Sequence, residues 1–249
     1  MAKNNESVGI AAEVAIAKTF GINIDPLYAQ RAEPGVVNLL LSDNSIKTIF
    51  DREGIPYPRK HVAQGQSAVD FLLTNDETLS VKTNQRKSGK VAPQKIGQAS
   101  QTTFFEFLED NHILPGFSIE GTLKEKNLTD NYENRALIFK EITLKNTDVL
   151  VNMYWKNLFE CDYLIFFFNL ETLQNPLENY RVFWRSGNCP KWIKGHFSFT
   201  RGISLWNESS TLKYEGVRIG EFQIHRHRDC FKFRFDLDGI MKLIDKGQI

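Results

Sequence analysis

An acid and a lysine on neighbouring strands can do phosphodiester chemistry. The chain offers such a pair in Ala68–Val69–Asp70–Phe71–Leu72–Leu73 and Leu79–Ser80–Val81–Lys82–Thr83. A carboxylate holds Mg²⁺, a hard ion that prefers oxygen ligands and keeps several waters. A divalent ion activates water and neutralises charge on a phosphorane. A lysine alongside orients that water or stabilises charge. As an unassisted base it is poor, because at a pKa of about 10.4 roughly one in a few thousand is neutral at pH 7.

The two side chains cooperate only if they share a face. Strand side chains alternate sides. Phe71 and Leu73 therefore oppose Asp70 and Leu72, and Leu79 and Val81 oppose Ser80 and Lys82. A two-residue loop would put Asp70 and Lys82 on opposite sides. A three-residue loop, Asn75–Asp76–Glu77, pairs Thr74 with Thr78, Leu72 with Ser80 and Asp70 with Lys82. Asn and Asp tolerate the left-handed conformation such a loop requires. The plain alternative is a partly exposed hairpin with an ordinary Asp–Lys cross-strand pair.

The positioning elements follow from pattern. Ser7 caps an Ala- and Ile-rich helix running to Phe20. A second helix is expected over 44–52, stopped by Gly54, Pro56 and Pro58. The strands over 68–73 and 78–83 come next, then a polar linker and a helix over about 94–109. Residues 111–134 read as irregular, 149–159 as a helix, 163–169 as a buried strand, and 237–244 as a closing helix. The expected fold class is α/β (α+β): a central mixed sheet flanked by helices, with a β-rich C-terminal region. One domain is expected over 1–249, its core over about 6–170 and the β-rich region over about 180–249.

Asp70, nine intervening residues and then Ser80–Val81–Lys82 resembles the D…(E/D/S)-X-K pattern of PD-(D/E)XK nucleases, of the type II restriction-endonuclease kind. The order of elements before and after the motif agrees. The resemblance implies a Mg²⁺-dependent endonuclease that hydrolyses double-stranded DNA. In that reading Asp70 is a metal ligand and Lys82 orients water or stabilises charge. Ser80 stands where the family has an acid, which removes one ligand. Members often draw a glutamate from the first helix, so Glu13 is the implied second carboxylate and metal residue; Glu106 is a weaker candidate. A homodimer and a cognate DNA methyltransferase are implied partners. The alternatives are a repair or junction-resolving nuclease of the same superfamily, or a non-catalytic DNA-binding protein that Ser80 has disarmed.

Net charge is +1, but its distribution is uneven. Residues 78–105 hold no acid yet carry Lys82, Arg86, Lys87, Lys90 and Lys95, whereas 106–133 hold seven acids. Segregation of this kind can give one face a positive potential. Lys87, Lys90, Lys95 and Gln98 are therefore expected DNA contacts, by neutralising or hydrogen-bonding backbone phosphates.

A second expected DNA-contacting element lies in the tail. The run Phe222–Gln223–Ile224–His225–Arg226–His227 and the run Cys230–Phe231–Lys232–Phe233–Arg234–Phe235 flank Arg228–Asp229. A two-residue turn pairs Ile224 with Phe233 and His225 with Lys232, so apolar meets apolar and polar meets polar. One face then presents Gln223, His225, Lys232 and Arg234, with Arg226 and Arg228 near the tip. Such a ribbon can enter a major groove or clamp phosphates; the alternative is a merely wet hairpin. Val217 and Ile219 are out of phase with Phe222, so Gly220 marks a bulge. His225 and His227 lack a third ligand at sensible spacing for a metal.

No stretch approaches the roughly 20 apolar residues of a membrane helix. The first residues lack a signal-peptide layout. Three scattered cysteines exclude a disulfide framework or a zinc site. A cytoplasmic protein is the expectation.

Overall fold

A computed structural model describes residues 5–63, 67–85, 90–93, 96–113, 132–172, 175–184 and 190–249. The chain divides into two compact units: 1–91 with 159–188, and 92–158 with 189–249.

The first unit is built on a five-stranded mixed sheet in the order β1-β2-β3-β6-β7. These strands are β1 (Pro58–His61), β2 (Phe71–Leu73), β3 (Thr78–Thr83), β6 (Tyr163–Phe167) and β7 (Tyr180–Trp184). β3 and β6 run parallel and the other pairs antiparallel. The parallel register is set at its start, where Asp162 accepts from the Thr78 amide at 2.9 Å and from its hydroxyl at 2.7 Å. That clamp aligns Ser80 with Leu164 and Lys82 with Phe166.

Helix α1 (Asn5–Phe20) is buried on nearly every side from Val8 to Ala17. Such a helix must be apolar all round, and four alanines (Ala11, Ala12, Ala15 and Ala17) let it approach its neighbours closely. Gly9 does the same at the sheet: a Cβ there would sit 3.6 Å from the Thr83 hydroxyl. α1 packs with α3 (Pro34–Leu41), α4 (Ser45–Glu53) and the inner face of the sheet, where Phe71, Leu73, Leu79, Val81, Ile165 and Phe167 complete one core. Each such side chain contributes roughly 1.5–3 kcal/mol on burial.

In the second unit, strands β8 (Phe197–Phe199), β9 (Ser209–Tyr214), β10 (Val217–His225) and β11 (Cys230–Asp236) form an antiparallel run, and β5 (Gln98–Ser100) adds to β11. Helices α5 (Gln101–Asp110), α6 (Tyr132–Lys145), α7 (Thr147–Leu158) and α8 (Leu237–Asp245) belong to the same unit. Its core is aromatic. Phe139 stacks on Phe231 at 3.9 Å and Tyr154 on Phe233 at 4.4 Å.

Several expectations need correction. The helix expected from 94 starts only at Gln101, because Gln98–Ser100 is captured as a strand by β11. The strand expected from 68 starts at Phe71. β1 was hidden behind Pro56 and Pro58: Pro58 serves as the strand's first residue, a position proline tolerates. The expected bulge is present, with the β10–β9 register slipping between Arg218 and Gly220. Among the described residues no helix is long and apolar enough to cross a membrane.

Candidate active site

Asp70 sits immediately before β2. Its amide donates to the Leu79 carbonyl at 2.9 Å, and its carbonyl accepts from the Val62 amide of the chain leaving β1 at 2.9 Å. The β2–β3 turn is a three-residue loop, but it comprises Thr74–Asn75–Asp76, with Asp76 left-handed at φ 70°. The register therefore pairs Phe71 with Leu79 and Leu72 with Thr78. This is two residues away from the expected one, and the Asp70 amide meets the Leu79 carbonyl, so Asp70 does not pair with Lys82. Because the side-chain period is two, a shift of two preserves the face. On β3 that keeps Ser80 and Lys82 opposite Leu79 and Val81, and the Asp70 side chain reaches the Ser80 hydroxyl.

The Asp70 carboxylate is 6% exposed and held through one oxygen: Oδ2 accepts from the Val81 amide at 2.6 Å and from the Ser80 hydroxyl at 3.1 Å. Ser80 is fully buried, so its hydroxyl fixes the neighbouring acid and does not face solvent. Burial pushes the Asp70 carboxyl up to about 6. The Lys82 ammonium opposes that rise and the Glu13 carboxylate adds to it. Lys82 is half-buried on β3. Asp70 thus interacts electrostatically with both Lys82 and Glu13.

Glu13 is 7% exposed on α1 and does not stand alone. Its Oε2 accepts from the Tyr28 hydroxyl at 2.9 Å and from His61 Nε2 at 2.8 Å. Tyr28 lies in the short helix α2 (Pro26–Ala29), and His61 ends β1. Sequence reasoning missed both. The signal was chemical: a carboxylate on an apolar helix face demands donors, but nothing in the spacing said which residues supply them.

The donor set suits a hard divalent cation. Both described hydrogen bonds to Asp70 fall on Oδ2, and both to Glu13 fall on Oε2. The Glu13 charge raises the Asp70 carboxyl, so a cation beside Asp70 would offset that repulsion. The described residues contain no group of three or more His, Cys, Asp or Glu able to cage a metal.

The residues expected to touch DNA sort differently. Lys87 and Lys95 lie outside the described residues. Lys90 is half-buried on β4 (Lys90–Val91) and is engaged by a partner. Gln98, expected on a helix beside the catalytic motif, is instead an exposed strand residue paired with Lys232. The β10–β11 hairpin has a four-residue loop, not two, built from a 3₁₀ turn over Arg226–Arg228 and a left-handed Asp229. Its register pairs Phe222 with Phe233, Gln223 with Lys232 and Glu221 with Arg234. Again the slip is two residues, and again the polar face survives.

That face is now wider than expected. Gln98, Lys232 and Gln223 form one row across β5, β11 and β10. Beside it Glu221 accepts from Arg234 at 2.9 Å and from Gln223 at 3.0 Å, and His225 meets Gln223 at 3.2 Å. The tip is tied down: Arg226 pairs with Glu133 at 3.3 Å, and Asp229 with Arg135 at 3.6 Å. Arg228 is exposed. Burial first, and then the surrounding cations, depress both His225 and Lys232.

Over 183 residues, 74% of this chain, the sequence is 32% identical to the protein named type II restriction enzyme CviAII from Paramecium bursaria Chlorella virus 1. That stretch is 46% of the viral protein, so the chain spans about half the length of the curated relative it matches. No protein-family model matches the chain, and no solved structure does.

Proposed function

We propose that this protein is a PD-(D/E)XK endonuclease of the type II restriction kind, which hydrolyses phosphodiester bonds of double-stranded DNA with Mg²⁺. One observation carries the reading: the Asp70 carboxylate, bonded to Ser80 and Val81 of the strand that carries Lys82, feels the charges of both Lys82 and Glu13. The likeness to a viral type II restriction enzyme supports it.

Asp70 and Glu13 would hold the cation. When bound, Mg²⁺ supplies Lewis acidity toward a phosphoryl oxygen. Ser80 and the Val81 amide orient Asp70. Lys82 places its ammonium where a phosphate gathers negative charge, and hydrogen bonds to charged groups are the strong ones. Ser80 contributes no ligand of its own, which leaves two carboxylates for the job. The same feature favours the second reading, a DNA-binding protein without cutting activity. A homodimer on a two-fold site and a methyltransferase that protects that site are the partners this reading implies.

Supercoiled plasmid incubated with and without Mg²⁺ separates the possibilities. Discrete fragments that need Mg²⁺ support a restriction enzyme. Nicking confined to branched or damaged substrates points to repair. Shifted but uncut plasmid supports the binder.

The row Gln98–Lys232–Gln223, with His225 and Arg234 beside it, is the proposed DNA contact of the second unit. Lys232→Ala is expected to weaken duplex binding in Ca²⁺ and to reduce the salt-dependence slope by about 1, the signature of one lost phosphate contact. His225 starts depressed, and a nearby phosphate would raise it. Affinity should therefore increase as pH falls through and below the ordinary histidine value of about 6.5, and His225→Ala should flatten that trend. Fluorescence anisotropy at fixed ionic strength measures both effects. An unchanged salt slope in the Lys232 variant would remove this face from the interface.

A further inference from the structure

We infer that Tyr28 and His61 are positioning residues that hold Oε2 of Glu13, so that the carboxylate's other oxygen is turned, with Asp70, toward a divalent cation. The inference rests on the proposed nuclease reading and deepens it.

The geometry is specific. Tyr28 and His61 come from different elements, a four-residue helix and the edge strand β1, yet both reach the same oxygen, at 2.9 and 2.8 Å. An ionised carboxylate only accepts, so the phenol O–H and the imidazole Nε2–H both donate. A carboxylate bound symmetrically would present no preferred oxygen. Two donors on one oxygen fix the plane and leave the other oxygen's lone pairs for a further partner.

The holders are themselves held. The Tyr28 and His61 rings lie 5.3 Å apart, and His61 meets Phe71 edge-on at 5.1 Å. His61 is the register partner of Phe71, the residue after Asp70. The next residue, Val62, donates its amide to the Asp70 carbonyl. One short stretch, His61–Val62, therefore fixes the side chain of one acid and the backbone of the other. Helix α2 is anchored at its start by Asp25, which accepts from the Leu27 and Tyr28 amides at 2.7 and 3.2 Å. Burial and the Glu13 charge push the Tyr28 phenol well above its usual range, so it stays a donor.

Groups that orient a metal ligand from behind typically matter by 10- to 100-fold in metal affinity. The test is Mn²⁺ binding to the intact protein without DNA, read by the loss of free-ion signal in electron paramagnetic resonance. Expected results are about 10-fold or more weakening for His61→Leu, a smaller weakening for Tyr28→Phe, and near-complete recovery in His61→Gln, whose amide can still donate. In cleavage assays the same variants should raise the Mg²⁺ concentration for half-maximal rate more than they lower the maximal rate. Tyr28→Phe changes one hydroxyl only and serves if His61→Leu folds poorly. If Asp70→Asn and Glu13→Gln abolish Mn²⁺ binding while Tyr28→Phe and His61→Leu leave it unchanged, the inference fails and the nuclease reading stands. If the wild-type protein binds no Mn²⁺, or binds it equally without either acid, the reading itself fails and takes the inference with it.

Discussion

Asp70→Asn is expected to abolish DNA cleavage while making the metal-free protein more stable at neutral pH. The two effects have one origin. The Asp70 carboxyl is buried and pushed up from 3.8 to about 6, so its ionised form is disfavoured in the folded state. A raised acid pKa means that the folded chain takes up the proton before the unfolded chain does. The cost is full above about pH 6, shrinks as pH falls from 6 toward 3.8, and is gone below that. Its size at pH 8 is on the order of 2–3 kcal/mol, from about 1.36 kcal/mol per unit. Asn keeps an oxygen to accept from Val81 and Ser80 and carries no charge. Thermal unfolding without metal should then show the variant melting several degrees higher at pH 8, with the two proteins converging near pH 4. Adding Mg²⁺ should raise the melting temperature of the wild type but not of the variant, since a ligand stabilises only the state that binds it. Single-turnover cleavage should fall at least about 1,000-fold, matching the several kcal/mol that such an ion supplies. Duplex binding in Ca²⁺ would stay nearly intact. A variant that cuts at near-normal rate would remove Asp70 from the site.

The same residue shows what the sequence could and could not reveal. Alternation puts Ser80 and Lys82 together on β3 whatever the register, whereas the β2–β3 pairing itself lies two residues from the expected one. The β10–β11 ribbon repeats the lesson: its loop is twice the expected length, yet Gln223, His225, Lys232 and Arg234 keep their common face. Face is a local property, and local patterns are legible. Partnership across the chain is not. Gln98 reads as a helix residue because its neighbours have helical spacing, and only the pairing with Lys232, 134 positions later, makes it a strand. His61 reads as the end of a proline-rich connection, and nothing local announces that its ring meets an acid 48 residues earlier.

These long-range contacts also explain why Glu13 can be buried at all. An apolar helix such as α1 tolerates one carboxylate only where donors wait for it. Tyr28 and His61 are those donors, and they are packed into the same core cluster or against it. The site is therefore not a polar patch added to a finished fold. The hydrogen bonds that hold Glu13 also tie α1 to β1 and α2, and those that hold Asp70 tie β1 to β2 and β3.

Lys82→Met should separate rate from cation affinity, whereas Asp70→Asn loses both together. Lys82 holds Asp70 down against burial, so removing its charge lets the Asp70 carboxyl rise further above 6. It also removes a positive charge that repels an incoming cation. At pH 8, where Asp70 is still largely ionised, Mn²⁺ should bind the variant as tightly as the wild type or more so. At pH 6 proton competition should weaken that binding. Cleavage should nonetheless drop by about 100- to 1,000-fold at saturating Mg²⁺, the usual cost of losing one preorganised group aimed at developing charge. Arg at this position should not restore it, because a planar guanidinium cannot occupy the compact site of an ammonium. Duplex affinity in Ca²⁺ should change by no more than about fivefold, since one phosphate contact among several is lost. Titrating Mn²⁺ at the two pH values and measuring single-turnover rates on the same preparations gives all four numbers. If Lys82→Met loses Mn²⁺ binding at pH 8 in step with its rate, the lysine acts only by keeping Asp70 ionised. If it keeps the ion and loses the rate, Lys82 acts on the scissile phosphate itself.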